Sequence, residues 1–284
     1  MTILKALGQR LKYDAEKPFI ERIYSAYILT INSLTFKALN MGNGRNEISI
    51  SRNINLKVHD QSYYAFRYFT DLNDEMVEEM RTFLKLTQAS KCFIDVGAHY
   101  GIFSLAFSAR PDSVAHSFEP SPDAFKVLKH NIMVNPGHLV HPYPFAVNSS
   151  DNKLNLYPDV ADHCIVSPKR DSFVSDSCIT VDAIRLDTFV LTQKIKPDVI
   201  KIDVEGYEMD VLRGAKRLLS DYSPLIFLEI HPDELRDNGQ TVEQVLSFLT
   251  NLNYIFFNHK GTRLSSNSLI ETVQVSRIVC RKKV

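Results

Sequence analysis

The stretch Phe93-Ile94-Asp95-Val96-Gly97-Ala98-His99-Tyr100-Gly101 decides the fold. An apolar run ends in an acid and turns through a glycine-rich loop. The residues after it, IFSLAFSAR from Ile102 to Arg110, carry apolar positions at helical spacing. This is how a buried parallel strand delivers the chain to a ligand. Gly97 and Gly101 lack a Cβ, so the backbone can bend sharply there and a ligand can approach it closely. Asp95 sits at the strand's carboxyl end, the edge at which open α/β sheets bind their ligands.

Outward from this stretch the same alternation repeats. VAHSFEP precedes PDAFKVLKHNIMV, DVIKIDVEG precedes YEMDVLRGAKRLL, and PLIFLEIHP precedes TVEQVLSFLTNL. Strand-like YPFAVN and KLNLYP fall between them, and YIFFNH and SRIVCRK close the chain as short strands. Such a pattern predicts an α/β fold, a doubly wound and mostly parallel sheet with helices on both faces. Residues 159–177 are polar, contain Pro168 and have no clear period; a loop of that length in a compact domain is a candidate lid or substrate-contacting insertion.

Before the sheet the character changes. From Glu16 to Leu39, Ile20, Ile23, Tyr24, Tyr27, Ile28, Ile31, Leu34 and Ala38 fall at helical spacing. The polar face is not strongly basic, so a helix packed on the main domain or on a second subunit, as in a homodimer, is expected rather than one lying on a membrane. MGNGR from Met41 to Arg45 breaks it, EISISRNINLKVH reads as a strand or hairpin, and Asp71 to Leu86 reads as a helix capped by Asp71 or Asn73. The expected division is an N-terminal extension over 1–70 and the main domain over 71–284.

Composition bounds the partners. At 284 residues and 44% hydrophobic the chain can bury one sizeable core. Thirty-three basic residues balance 33 acidic ones, so nothing global recommends a nucleic acid or an anionic membrane. The four cysteines form no C-x-x-C pair and no cluster with histidine, which argues against zinc or a disulfide scaffold. No signal peptide is read and Tyr27 to Ile31 is too short to cross a bilayer, so a reduced cytoplasmic setting without membrane insertion is expected.

Charged residues at strand ends carry the chemistry. The loop reads D-x-G-x-x-x-G rather than G-x-G-x-x-G, which points away from a dinucleotide pyrophosphate and from a nicotinamide oxidoreductase. It favours S-adenosylmethionine, whose cationic methionine end suits a carboxylate and exposed carbonyls. Glu119, 24 residues after Asp95, closes the second strand where an acid accepts bonds from ribose hydroxyls, and Pro120 and Ser121 open the next helix. Phe145 and Ala146 could lay apolar atoms on an adenine face, while His99 shapes the loop. Asp203 ends an apolar strand and Glu205 follows it; either could hold substrate, act as base or ligate magnesium. Glu208 and Asp210, at the start of the following helix, read as structural acids at the positive end of its dipole. Glu229 and His231 end the next strand with side chains on one face, and histidine titrates near neutral pH.

With these residues in hand, the chain resembles the FkbM family of methyltransferases, which have the class I S-adenosylmethionine-dependent fold with an antiparallel last strand. The resemblance runs over about residues 91–235 through FIDVGAHYGIFSLAFS, HSFEPSPDAFKVLKHNI, YPFAVN, IRLDTFV, DVIKIDVEGYEMDVLRGAKRLL and LIFLEIHP. His99 stands where the family's loop has asparagine. The resemblance implies methyl transfer to a hydroxyl of a small-molecule or glycan acceptor. Asp95, Gly97 and Gly101 would hold the methionine end, Glu119 the ribose, and Phe145 and Ala146 would lie near adenine, with Ala98, His99, Pro120 and Ser121 completing the cofactor-binding set. Asp203, Glu205, Glu229 and His231 would face the acceptor, with Asp203 the first choice of base and Asp203 and Glu229 the candidate magnesium ligands. A nucleic-acid methyltransferase is disfavoured because no N-P-P-Y or D-P-P-Y type motif is present. A non-catalytic binder of the cofactor is the alternative of a different class.

Overall fold

In the computed structural model, residues 46–72, 74–158, 164–166, 179–272 and 274–283 are described. The expected helix over 16–39, the break at 41–45 and most of the 159–177 segment lie outside them. The described chain opens with an antiparallel hairpin, β1 (Glu47–Ser51) and β2 (Ile54–Lys57). Helix α1 (Asp60–Leu72) follows at once, then α2 (Asp74–Leu86). The sequence predicts only one helix here, from Asp71. The aromatic run Tyr63, Tyr64 and Phe66 has a strand-like composition, and tertiary contacts override it. The start signal is an unusual one: the His59 Nδ1 accepts the Gln61 N–H, and the His59 N–H donates to Asn131 Oδ1. Ile48, Leu56 and Val58 of the hairpin region are buried in the same cluster as Phe83, Phe93 and Phe107.

Then come β3 (Cys92–Val96), α3 (Ile102–Ser108), β4 (Val114–Phe118), α4 (Pro122–Val134) and β5 (Val140–Tyr143). YPFAVN, expected as one strand, divides at Pro144, which has no N–H for a ladder. Tyr143 ends β5 in the main sheet, and β6 (Ala146–Val147) begins a second, four-stranded sheet with β7 (Asn152–Pro158), β8 (Cys164–Val166) and β9 (Ile179–Ile184) in the order β6-β9-β7-β8. After these follow α5 (Leu186–Gln193), β10 (Val199–Ile202), α6 (Glu208–Gly214), α7 (Lys216–Asp221), β11 (Leu225–Ile230) and α8 (Pro232–Asp237). The chain closes through α9 (Val242–Asn251), β12 (Tyr254–Phe257), β13 (Arg263–Leu264), α10 (Ser266–Ile270) and β14 (Ser276–Lys282).

The main sheet has the order β13-β12-β14-β11-β10-β3-β4-β5. Strands β11, β10, β3, β4 and β5 are mutually parallel, and β14 runs antiparallel between β11 and β12. Chain order reverses between β3 and β10, so the loops after these two strands flank the switch point where such sheets bind ligands.

Register sorts the side chains. Ile94, Val96, Ile200, Ile202, Ile226 and Leu228 enter one core cluster, whereas Phe93, Val199 and Phe227 enter another. By the period of two, Asp95, Lys201 and Glu229 share the second face. Lys201 pairs with Asp95, which pairs with Ser117, and Glu229 pairs with Arg277. One face of an otherwise apolar sheet therefore becomes polar towards its carboxyl ends. The site grows from that row.

Candidate active site

The glycine loop is built by its backbone. The N–H groups of Gly97 and Ala98 both donate to the Phe118 carbonyl, at 3.0 and 2.9 Å, tying the loop to the end of β4. Gly97 and Gly101 each have φ +78°, and His99 has φ +51°. A Cβ on Gly97 would lie 1.8 Å from the Asp203 carbonyl oxygen, so glycine is required there by space as well as by φ. Glu119, buried at 6% exposure, accepts the His99 N–H through Oε2 at 2.7 Å and the Ser121 N–H through Oε1 at 2.8 Å. Ser121 in turn caps α4. Glu119 thus clasps the loop to the helix start, and a carboxylate so held retains lone pairs for further donors. Burial pushes it up to about 7 despite these two bonds.

Asp95 is buried beneath the loop, where the Ser104 hydroxyl donates to it at 2.6 Å and meets Ser117 at 2.7 Å. Burial pushes Asp95 up to about 6, against the charge of Lys201 and the Ser104 bond. Phe145 packs against the main core, whereas Ala146 is buried in the small cluster of the second sheet.

The acids after β10 and β11 converge on one histidine. His231 Nδ1 bonds Glu208 Oε1 at 2.7 Å. Its Nε2 lies 3.5 Å from Glu205 Oε2, 3.7 Å from Glu229 Oε1 and 4.0 Å from Asp203 Oδ1. Burial opposes a charged imidazole, but the Glu208 bond and the charges of Glu205 and Asp203 outweigh it and push His231 up to about 10. Glu205 reaches its place by a left-handed backbone, φ +50°, followed by Gly206 at +94°. A Cβ on Gly206 would meet Glu234 at 2.5 Å, which packs this turn closely on α8.

Lys201 and Arg277 supply the balancing charge. The Lys201 Nζ donates to Asp203 Oδ2 at 2.6 Å and lies over the Phe103 ring at 4.9 Å. Burial works against the Asp203 carboxylate, yet Lys201 and then His231 hold it well below its ordinary value. Arg277 bonds Glu229, and its Nε is 3.6 Å from Glu79. Burial and the Asp203 charge push Glu229 up to about 8, against the pull of Lys201 and Arg277.

Asp203, Glu205, Glu229 and His231 are therefore gathered, and Gly97, Ala98, His99, Gly101, Glu119 and Ser121 form a second group. The groups meet where Gly97 lies against Asp203, whose N–H also donates to the Val96 carbonyl at 3.0 Å. Sequence reasoning passed over Lys201 and Arg277 and read Glu208 as a structural acid only, without its bond to His231. A lysine inside the wholly buried run VIKI was a legible signal; Arg277 had none locally.

The strand order, with β14 reversed beside β11 and a glycine loop at the switch point, defines the class I Rossmann-like methyltransferase sheet. The chain belongs to the FkbM methyltransferase family, whose domain (Methyltransferase FkbM domain) matches residues 95–256. Hexuronic acid methyltransferase AglP of Haloferax volcanii is 28% identical over 162 residues, 57% of this chain and 64% of that protein. Methyltransferase 1 of Beauveria bassiana is 26% identical over 141 residues, 43% of this chain and 57% of that one. The chain thus matches less than two thirds of the length of these relatives. Among solved structures, the methyltransferase FkbM from Methylobacillus flagellatus superposes with a TM-score of 0.43 at 16% identity, covering 90% of this chain and 60% of the other. No helix among the described residues is long and apolar enough to cross a membrane.

Proposed function

We propose that the protein transfers a methyl group from S-adenosylmethionine to a hydroxyl oxygen of a sugar or glycan acceptor. The observation that carries the reading is the contact of Gly97 with Asp203, which sets a cofactor-type loop directly against a cluster of acids at the sheet's open edge. Family membership supports the cofactor. The sugar acceptor draws on the similarity to a protein named as a hexuronic acid methyltransferase.

In the reaction the hydroxyl oxygen attacks the methyl carbon, the carbon–sulfur bond breaks and S-adenosylhomocysteine leaves. The hydroxyl proton passes to a carboxylate. Alignment does much of the work because the sulfonium already activates the methyl. Asp203 is our choice of base: it is part-exposed at the edge, and Lys201 keeps it ionised. Glu229 is more buried and bonded to Arg277.

The test is calorimetric titration of S-adenosylhomocysteine, with NAD as control, followed by transfer of labelled methyl to a panel of uronic-acid and neutral glycosides. Selective binding and a labelled methyl ether are the expected results. Binding of NAD instead overturns the cofactor reading, and binding without transfer to any hydroxylated acceptor favours a non-catalytic binder.

A further inference from the structure

His231 is an unusual buried side chain, 5% exposed. Its Nδ1 is committed to Glu208, itself fully buried and also accepting the Gly206 N–H at 3.1 Å. That fixes the ring so that Nε2, which makes no hydrogen bond among the described residues, is aimed at Glu205, Glu229 and Asp203. The separations of 3.5 and 4.0 Å are loose for a hydrogen bond. They suit donors to one ion: at bond lengths of about 2.1 Å, adjacent ligands lie about 3.0 Å apart and opposite ones about 4.2 Å. The three donor atoms lie within 4.8 Å of one another, so the part-exposed carboxylates need close in by only a fraction of an ångström. Asp203 is suited to this because Lys201 takes Oδ2 and leaves Oδ1 facing His231.

We infer that Asp203 Oδ1, Glu205 Oε2 and His231 Nε2 are the protein ligands of one divalent cation, with Glu208 as the residue that positions the histidine. A carboxylate bonded to the far nitrogen is the usual outer support of a ligating histidine. Glu229, held by Arg277, forms the wall behind the site and is not a ligand. One imidazole with two carboxylates suits a first-row ion such as Mn2+ better than Mg2+, which prefers oxygen alone. When bound, such an ion supplies Lewis acidity; Asp203 is then its ligand, and the free base only in the ion-free protein. It would also screen an acidic acceptor from Asp203 and Glu205. That role rests on the proposed reading that the acceptor enters at this edge; the site itself does not.

The experiment is titration of MnCl2 into the full chain, following free Mn2+ by electron paramagnetic resonance, with S-adenosylhomocysteine affinity measured on the same preparation. One Mn2+ per chain is expected, held more tightly than Mg2+ in competition. Asp203→Asn and Glu205→Gln should each abolish it while the nucleoside still binds, and Glu208→Gln should weaken it about 10–100-fold. Glu205→Gln is the safe variant, because that side chain is part-exposed. Absence of Mn2+ binding by a protein that binds the nucleoside overturns the site and leaves His231 as a protonated counter-ion. Binding unchanged by Glu205→Gln and Asp203→Asn overturns the ligand set. Mn2+ binding without nucleoside binding upholds the site and sinks the methyltransferase reading instead.

Discussion

Lys201 shows how much one side chain carries at this site. Its ammonium is buried beside Asp203 and feels Glu79, Glu229 and Asp95 as well, so four acids depend on it. Lys201→Met should destabilise the fold by about 3–5 kcal/mol, because it strands buried carboxylates without a partner. Equilibrium urea unfolding measures this, and a loss under about 1 kcal/mol would show that the acids neutralise by taking up protons. Asp203→Asn keeps the side chain's shape and removes a proton acceptor. Turnover should fall about 10²–10⁴-fold while S-adenosylhomocysteine affinity stays nearly intact. Equal loss of both would move Asp203 to the cofactor. The acids at strand ends were legible because an apolar run that stops at a charge marks the edge of a parallel sheet. Glu208 was not: an acid in the first turn of a helix already has a sufficient explanation in the dipole. Nor was Arg277, whose partner Glu229 lies 48 residues away and is set only by the antiparallel register of β14 on β11.

Among the elements, the turns after β3 and β10 matter more than the helices they introduce. Gly97→Ala would drive a methyl into the Asp203 carbonyl, whereas a Cβ on Gly137, also at positive φ, meets nothing within 4 Å. The second substitution should cost only the backbone term of about 1–2 kcal/mol. The first should cost more and remove nucleoside binding. Thermal unfolding and calorimetry on the two variants side by side check this; equal losses would mean that φ alone matters at Gly97. The strand–helix alternation from Lys91 onward was legible because buried parallel strands are short apolar runs with glycine punctuation. Helix α1 was hidden by its aromatic residues. The break between β5 and β6 was marked by Pro144, but the second sheet that begins there depends on β6 pairing with β9, through Ala146 and Ala183. No local pattern encodes that pairing.

At the scale of the whole molecule the charges make stability fall as pH rises above about 6.5. Asp95, Glu119 and Glu229 are pushed up to about 6, 7 and 8 from ordinary values of 3.8, 4.5 and 4.5. Between the ordinary and the raised value the folded state holds the proton and the unfolded chain does not, so stability falls as pH climbs through each window. His231, raised to about 10, stabilises fully below 6.5 and loses that contribution as pH rises through the folded value. Asp203 acts oppositely, but its window lies below 3.8. The unliganded protein should therefore melt at a lower temperature at pH 9 than at pH 6 in differential scanning calorimetry; a level or rising midpoint would contradict the charge states described. The hydrogen bonds of Gly97 and Ala98 to Phe118, and of Asp203 to Val96, have a different kind of consequence. They are main-chain links between neighbouring strand ends, so under the proposed function the spacing of methyl donor and recipient would be written in the scaffold. On that reading mutation could redraw the walls around the acids, exchanging one recipient molecule for another, without retuning the distance over which a methyl would travel.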